Sequence, residues 1–421
     1  MIKKTTLPNG LRILTVPHKD TKTVAVFVLV GTGTKHETKQ QNGISHFLEH
    51  MFFKGTEKRP SALAVTEPID RVGGMFNAFT SYDYTGYFIK VEYEHLDLAF
   101  DIVSDIFLNS IFPHKEIEKE KGVVMEEINI YRDNPVRRVE DLWQELLYGD
   151  QPAGWPVTGT KETVSALSRE KLLSYMKRQY VSSHTVVSVA GRIDGERTLK
   201  KIARLFSGMS KTGFSAKQRV EQLQPRAHVL CEYKETDQTR LVLGVRGYSL
   251  FAPERFTQDL LATILGGMFS SRLFMEVREK LGIAYDIRTA SESDPDEGYL
   301  VSSAGVPHDK VQEAIRTILK EYRNMKTMLV SLSELTKAKE HLKGTMALAL
   351  EPSEIKASFY GIQELLEKRV LTPEEIYAKI KAVSRDQLRR VAETLFTPSK
   401  LNLVVLGPFN NKRPFEKILT L

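Results

Sequence analysis

The run His46-Phe47-Leu48-Glu49-His50 puts two imidazoles and a carboxylate within five residues. On a helix, positions i and i+4 share a face. His46 and His50 can therefore aim two nitrogens at one cation, at roughly 2.0–2.1 Å if the ion is zinc. Glu49 lies on the intervening turn beside that face, where it can take a proton from an attacking water without ligating the metal. Two histidines four apart on a helix also arise by chance in ordinary cores. The interposed glutamate makes metal-assisted hydrolysis the sharper reading.

A catalytic zinc takes a third protein ligand and keeps one position open. Residues 116–131 read as a helix carrying Glu116, Glu118, Glu120, Glu126 and Glu127. Glu120 and Glu127 are spaced i, i+7 and share one face, whereas Glu126 lies about 100° around the helix from Glu127. Spacing alone leaves the choice between these faces open.

The elements that must position these residues follow from periodicity. Residues 10–16 and 23–31 read as strands, the second a buried β-branched run, and 45–53 as a helix with apolar Phe47, Leu48, Met51 and Phe52. After the Gly73-Gly74 turn, 75–80 and 84–91 read as paired strands, and 95–109 and 115–131 as helices. The second half repeats the layout: strand 241–245, helix 256–265, strands 283–290 and 299–304, helix 310–325. Gly86-Tyr87-Phe88 and Gly298-Tyr299-Leu300 each precede an amphipathic helix and lie 212 positions apart. The expectation is an α+β fold of two similar duplicated α/β domains, each a mostly antiparallel sheet packed with helices. The boundaries expected are 1–208 and 228–421, joined by a polar linker at 209–227.

Composition narrows the function classes. A chain of 421 residues suits two domains of about 200 residues each. Lys and Arg number 60 against 53 Asp and Glu, a net charge of +7 spread along the chain. Short pairs such as Lys200-Lys201 fit a solvated helix face, so no nucleic-acid partner is expected. The single cysteine, Cys231, has no internal partner for a disulfide and reads as a buried thiol on a strand. No apolar run reaches about 18 residues and no apolar stretch follows the N-terminal lysines, so neither a membrane span nor a secretory signal is expected, and the simplest location is cytoplasmic.

The segment from Gly43 to Thr56, with His46-Phe47-Leu48-Glu49-His50 at its centre, resembles the active-site helix of the pitrilysin, insulysin and mitochondrial processing peptidase family, in its short-subunit bacterial form. Leu7-Pro8-Asn9-Gly10-Leu11 is similar to that family's opening strand, Asn77-Ala78-Phe79-Thr80-Ser81 to its substrate-binding edge strand, and the run from Glu118 to Ile128 to its third-ligand helix. The resemblance implies a Zn2+ ion held by His46, His50 and Glu127, with Glu126 the alternative, Glu49 as the base and Glu120 supporting the ligands. Asn77, Ala78, Phe79 and Thr80 would bind substrate. In the second half, Val277-Arg278-Glu279-Lys280-Leu281-Gly282-Ile283-Ala284-Tyr285 resembles the family's C-terminal motif, which implies substrate contacts for Arg278 and Tyr285. The helix at 256–265 has no histidine, as in the family's metal-free half.

The activity implied is zinc-dependent endopeptidase cleavage of short or unfolded peptides inside a closed chamber. Both the metal motif and the Arg278/Tyr285 motif stand in one chain, so a homodimer is the expected assembly. The alternative is a non-catalytic or partner subunit of a heterodimeric peptidase of the same family, whose mark would be a missing His or Glu in the motif.

Overall fold

A computed structural model describes residues 2–421. Two sheets organise it. The first holds β1 (Lys3–Thr6), β2 (Arg12–Pro17), β3 (Thr23–Val30), β4 (Met75–Thr80), β5 (Thr85–Glu92) and β6 (Thr185–Gly191) in the order β1-β2-β6-β3-β5-β4. The second holds β7 (His228–Tyr233), β8 (Thr239–Arg246), β9 (Ile287–Ser293), β10 (Gly298–Val306) and β11 (Leu401–Gly407) in the order β7-β11-β8-β10-β9.

The internal duplication is explicit in this topology. β2 and β6 run parallel and every other pair in the first sheet is antiparallel. In the second sheet β7 and β11 are the one parallel pair. Dropping β1 makes the two orders superimpose strand for strand. Gly86 and Gly298 then fall at the starts of the equivalent strands β5 and β10.

The central strands are buried on both faces, so their apolar residues run nearly unbroken. Along β3, Val24, Val26, Val28 and Val30 enter a large core with Phe47, Leu48 and Ile106. The alternate residues Ala25, Phe27 and Leu29 enter a smaller core with Ala357, Tyr360 and Leu365. That second layer is the helix Ser353–Glu367, drawn from near the C-terminus. It sits close because Gly361 has no side chain: a Cβ there would lie 2.5 Å from Leu29 Cδ1. Arg12 also donates to the Glu364 carbonyl at 2.7 Å, and Ser188 Oγ donates to the Ala357 carbonyl at 2.7 Å. The second sheet is treated in the same way by the helix Pro135–Tyr148, whose Val139, Leu142, Trp143 and Leu147 pack with Val242, Val404 and Leu406.

The compact units therefore do not follow one cut in the chain. One comprises residues up to Asn129 with Trp155–Gln218 and Leu348–Leu371, and the other comprises Ile130–Gly154, Arg219–Ala347 and Thr372–Leu421. The expected boundaries 1–208 and 228–421 miss this reciprocal exchange of helical segments, because hydrophobic periodicity reports that a helix has an apolar face and not which sheet it covers.

Two further expectations are corrected. The strand expected over 283–290 starts only at Ile287. Residues 274–280 are wound as a π-helical turn, with the Leu281 N–H bonded five residues back to Glu276, and Gly282 (φ +63) ends it. Cys231 lies on the edge strand β7 and is only half-buried, with its thiol 3.4 Å from the Phe409 carbonyl. No helix among the described residues is long and apolar enough to cross a membrane.

Candidate metal centre

The helix Ile44–Met51 carries the two histidines. It buries Ile44, Phe47, Leu48 and Met51 against the first sheet, which turns His46 and His50 the other way. Their rings lie 4.6 Å apart between centroids. Each Nε2 is 3.6 Å from Glu127 Oε2. A tetrahedral ion with bonds of about 2.1 Å spaces its ligand atoms roughly 3.4 Å apart. Both histidine-to-carboxylate distances therefore already stand near the spacing that one such ion requires, all three donor atoms lie within 4.8 Å of one another, and the two-imidazole, one-carboxylate set suits zinc.

Glu127 arrives on the helix His114–Asp133, whose buried stripe is Ile117, Glu120 and Val124. Continuing that stripe by three residues reaches Glu127. Glu126 falls off it, is exposed, and accepts from Asn129 Nδ2 at 3.1 Å. The structure thus brings Glu127 and not Glu126 to the histidines.

Glu120, on the same stripe and 2% exposed, is bonded to His50 Nδ1 at 2.8 Å through Oε1 and pairs with the Lys54 ammonium at 2.7 Å through Oε2. An Nδ1–H donated to a carboxylate leaves Nε2 as the lone-pair nitrogen, which is the form a metal takes. Burial pushes the Glu120 carboxyl up, but the bonds to His50 and Lys54 outweigh it and hold the group below its usual range. His46 differs: its Nδ1 is buried without a hydrogen-bond partner. Burial opposes a charge on His46, yet Glu127 and Glu49 outweigh it and hold the imidazole above its usual range.

Glu49 is fixed at one oxygen. Thr80 Oγ1 donates to its Oε2 at 2.7 Å, and no other hydrogen bond is recorded for the carboxylate among the described residues. Thr80 closes β4, the edge strand of the first sheet, which pairs only with β5. Asn77 and Phe79 face one side of β4, and Ala78 and Thr80 the other. Phe76 and Ala78 pack on the large core and Phe79 on the small one, so β4 is anchored while its outer edge stays open.

Arg278 and Tyr285 belong to the second unit and meet each other there. The Arg278 guanidinium lies 4.7 Å from the Phe274 ring centroid and 5.1 Å from that of Tyr285. Tyr285 is 77% exposed. Arg272, six residues before Arg278, is instead held by both oxygens of Glu334.

Periodicity missed Lys54 and the Thr80 hydroxyl bond to Glu49. Lys54 lies three residues past the helix end, and its ion pair depends on where another helix passes.

Residues 12–161 match the family described as insulinase (peptidase family M16), and residues 166–342 match the peptidase M16 inactive domain. The chain is 38% identical over 411 residues to a Bacillus subtilis protein named an uncharacterized zinc protease, covering 98% of this chain and 99% of that one. It is 34% identical over 410 residues to an uncharacterized zinc protease of Rickettsia felis, covering 97% and 98% of the two chains. Among solved structures, a protease from Helicobacter pylori superimposes with a TM-score of 0.91 at 23% identity, over 97% of this chain and 99% of that one. A peptidase M16 inactive domain from Pseudomonas fluorescens does so at 0.89 and 16% identity, over 97% and 98%. At those identities the two structures speak for the fold: two sheets, each layered with helices.

Proposed function

Since the chain belongs to the insulinase-like M16 peptidase family, we propose that it is a zinc-dependent endopeptidase acting on short or unfolded peptides. The observation that carries this reading is the convergence of His46 Nε2, His50 Nε2 and Glu127 Oε2 beside the half-free carboxylate of Glu49. His46, His50 and Glu127 would hold the ion. When bound, zinc supplies a Lewis acid that polarises a carbonyl and lowers the pKa of water.

The residues of the chain supply the rest. Glu49 Oε2 is pinned by the Thr80 hydroxyl, so Oε1 is the atom that takes the proton of the attacking water. Glu49 then returns that proton to the leaving amine nitrogen. An extended peptide would add to the open edge of β4, exchanging main-chain hydrogen bonds with residues 77–80. The Arg278 guanidinium and the exposed Tyr285 phenol would stabilise the negative charge on the substrate carbonyl oxygen. Glu120 holds the His50 ring at its working tautomer. Because both halves of this machinery lie in one chain, we propose that the active assembly is a homodimer.

A library of quenched fluorescent peptides, incubated with the wild type, with a chelator and with Glu49→Gln, tests the reading. Glu49→Gln keeps the three donors and loses the base. Cleavage that is lost with the chelator, and falls by about 10²–10⁴-fold in Glu49→Gln, supports the peptidase. No cleavage by a zinc-loaded wild type would sink it in favour of a non-catalytic partner subunit.

A further inference from the structure

His46 and His50 are supported unequally. The Nδ1 of His50 is tied to Glu120, whereas the Nδ1 of His46 has no partner. Ring orientation at His46 then rests on the packing around it and on the backbone that carries it. His46 is the third residue of the helix, in its first turn, where N–H groups have no intrahelical acceptor. The N-cap is Gly43 (φ +91), which has no side chain to accept them.

A residue from further back supplies the acceptors. Glu37, in the loop after β3, is 5% exposed and turns its carboxylate onto the start of the helix. Its Oε2 accepts from Gly43 N at 2.8 Å and Asn42 Nδ2 at 3.0 Å, and its Oε1 accepts from Ser45 N at 2.9 Å. The negative charge also faces the positive end of the helix dipole. Two further contacts stop this turn from sliding. Ser45 Oγ lies 2.9 Å from the Tyr175 hydroxyl, which itself lies 3.1 Å from Thr32 Oγ1. A Cβ on Gly43 would lie 2.6 Å from the Thr158 carbonyl oxygen, so the chain there is packed against 158–159.

We propose that Glu37 is the positioning residue for His46: a remote, charged N-cap that sets where the first imidazole points, as Glu120 does for the second by a different route. The proposal rests on the zinc reading of the site. A glutamine has one acceptor oxygen where Glu37 uses two. In Glu37→Gln, whichever way the amide is turned, its NH2 faces an N–H of residues 42–45, and the first turn shifts.

The test is zinc affinity near pH 8, where the Glu37 carboxyl is ionised, measured by competition with a fluorescent chelator, together with the rise in melting temperature on adding zinc. Glu37→Gln should bind zinc about 10–100-fold more weakly and show a smaller zinc-induced rise. Glu37→Asp, which keeps the charge but retracts it by one methylene, should fall between Gln and wild type and serves if Glu37→Gln does not fold. Val65→Ala, which trims the same core from a different helix, Ala62–Asp70, should lower the melting temperature and leave zinc affinity within threefold. Wild-type zinc affinity in either folded Glu37 variant would overturn the proposal while leaving the metal reading intact. Absence of zinc uptake by the wild type would overturn both.

Discussion

Replacing Glu120 by Gln isolates the contribution of one hydrogen bond to the metal centre. Glu120 Oε1 is 2.8 Å from His50 Nδ1, and its side chain is 3% exposed. Its other oxygen is 2.7 Å from Lys54 Nζ, on a side chain 22% exposed. The amide of Gln has one oxygen to serve both donors. If the oxygen stays on His50, the NH2 meets the lysine ammonium; if it turns to Lys54, the NH2 meets the imidazole N–H. A buried charge-assisted bond contributes about 1.5–3 kcal/mol. Lys54 can recover hydration, so most of the loss falls on His50. The expected cost is about 2 kcal/mol in zinc binding, or roughly a 30-fold rise in Kd. Competition against a fluorescent chelator near pH 7.5 measures it, with Lys54→Met as the companion that removes the ion pair but keeps the bond to His50. A Glu120→Gln protein that melts like the wild type and binds zinc within threefold of it would refute the argument that Glu120 orients His50.

Three other perturbations separate neighbouring ideas. Glu127→Gln should abolish tight zinc binding whereas Glu126→Gln should leave it within twofold, because Glu126 faces solvent and Asn129; equal losses in a metal titration would undo the choice of helix face. Phe27→Ala should lower the unfolding free energy by about 3–5 kcal/mol in urea titrations, since Phe27 is 3% exposed and stacks on Phe88 with centroids 4.6 Å apart beneath the helix Ser353–Glu367; a loss under 1 kcal/mol would mean that this helix does not seal the sheet. Burial pushes the Glu37 carboxyl up to about 7 from its ordinary 4.5, despite its three donors. Between those values the folded protein holds a proton that the unfolded chain releases, so stability rises as pH falls from 8 to 6, by about 1 kcal/mol from this group. That increment should be missing in zinc-free Glu37→Gln, and its persistence there would assign it to other carboxyls.

The parts of the site legible in sequence are those governed by local geometry. His46, Glu49 and His50 share one short helix, and the 3.6-residue repeat alone decides that the histidines share a face. The same repeat shows that Glu120 and Glu127 travel together. It does not show which face of their helix meets the histidines. Spacing left Glu126 open, and the family resemblance pointed to Glu127. The physical reason is the buried stripe Ile117, Glu120, Val124, which rotates the helix so that Glu127 meets the histidines. Strands β2, β3, β8 and β10, the paired hairpin β4–β5 and the repeat after Gly86 and Gly298 were likewise readable, because alternation and turn chemistry act over a few residues.

What escaped the sequence depends on contacts between distant segments. Thr80 reaches Glu49 across 31 positions, Lys54 reaches Glu120 across 66, and Arg12 reaches Glu364 across 352. Glu37 is near in sequence, yet it acts on the helix only because Gly43 turns the chain back at positive φ. The exchange of Pro135–Tyr148 and Ser353–Glu367 between the units left no periodic mark of its own, since an amphipathic helix has the same pattern against either sheet. Short-range periodicity determined the two-histidine motif and the strands and helices immediately around it. Tertiary packing decided which carboxylate completes the motif, what holds each ring in place and which sheet each helix covers, because those outcomes depend on side chains meeting across the fold rather than along the chain.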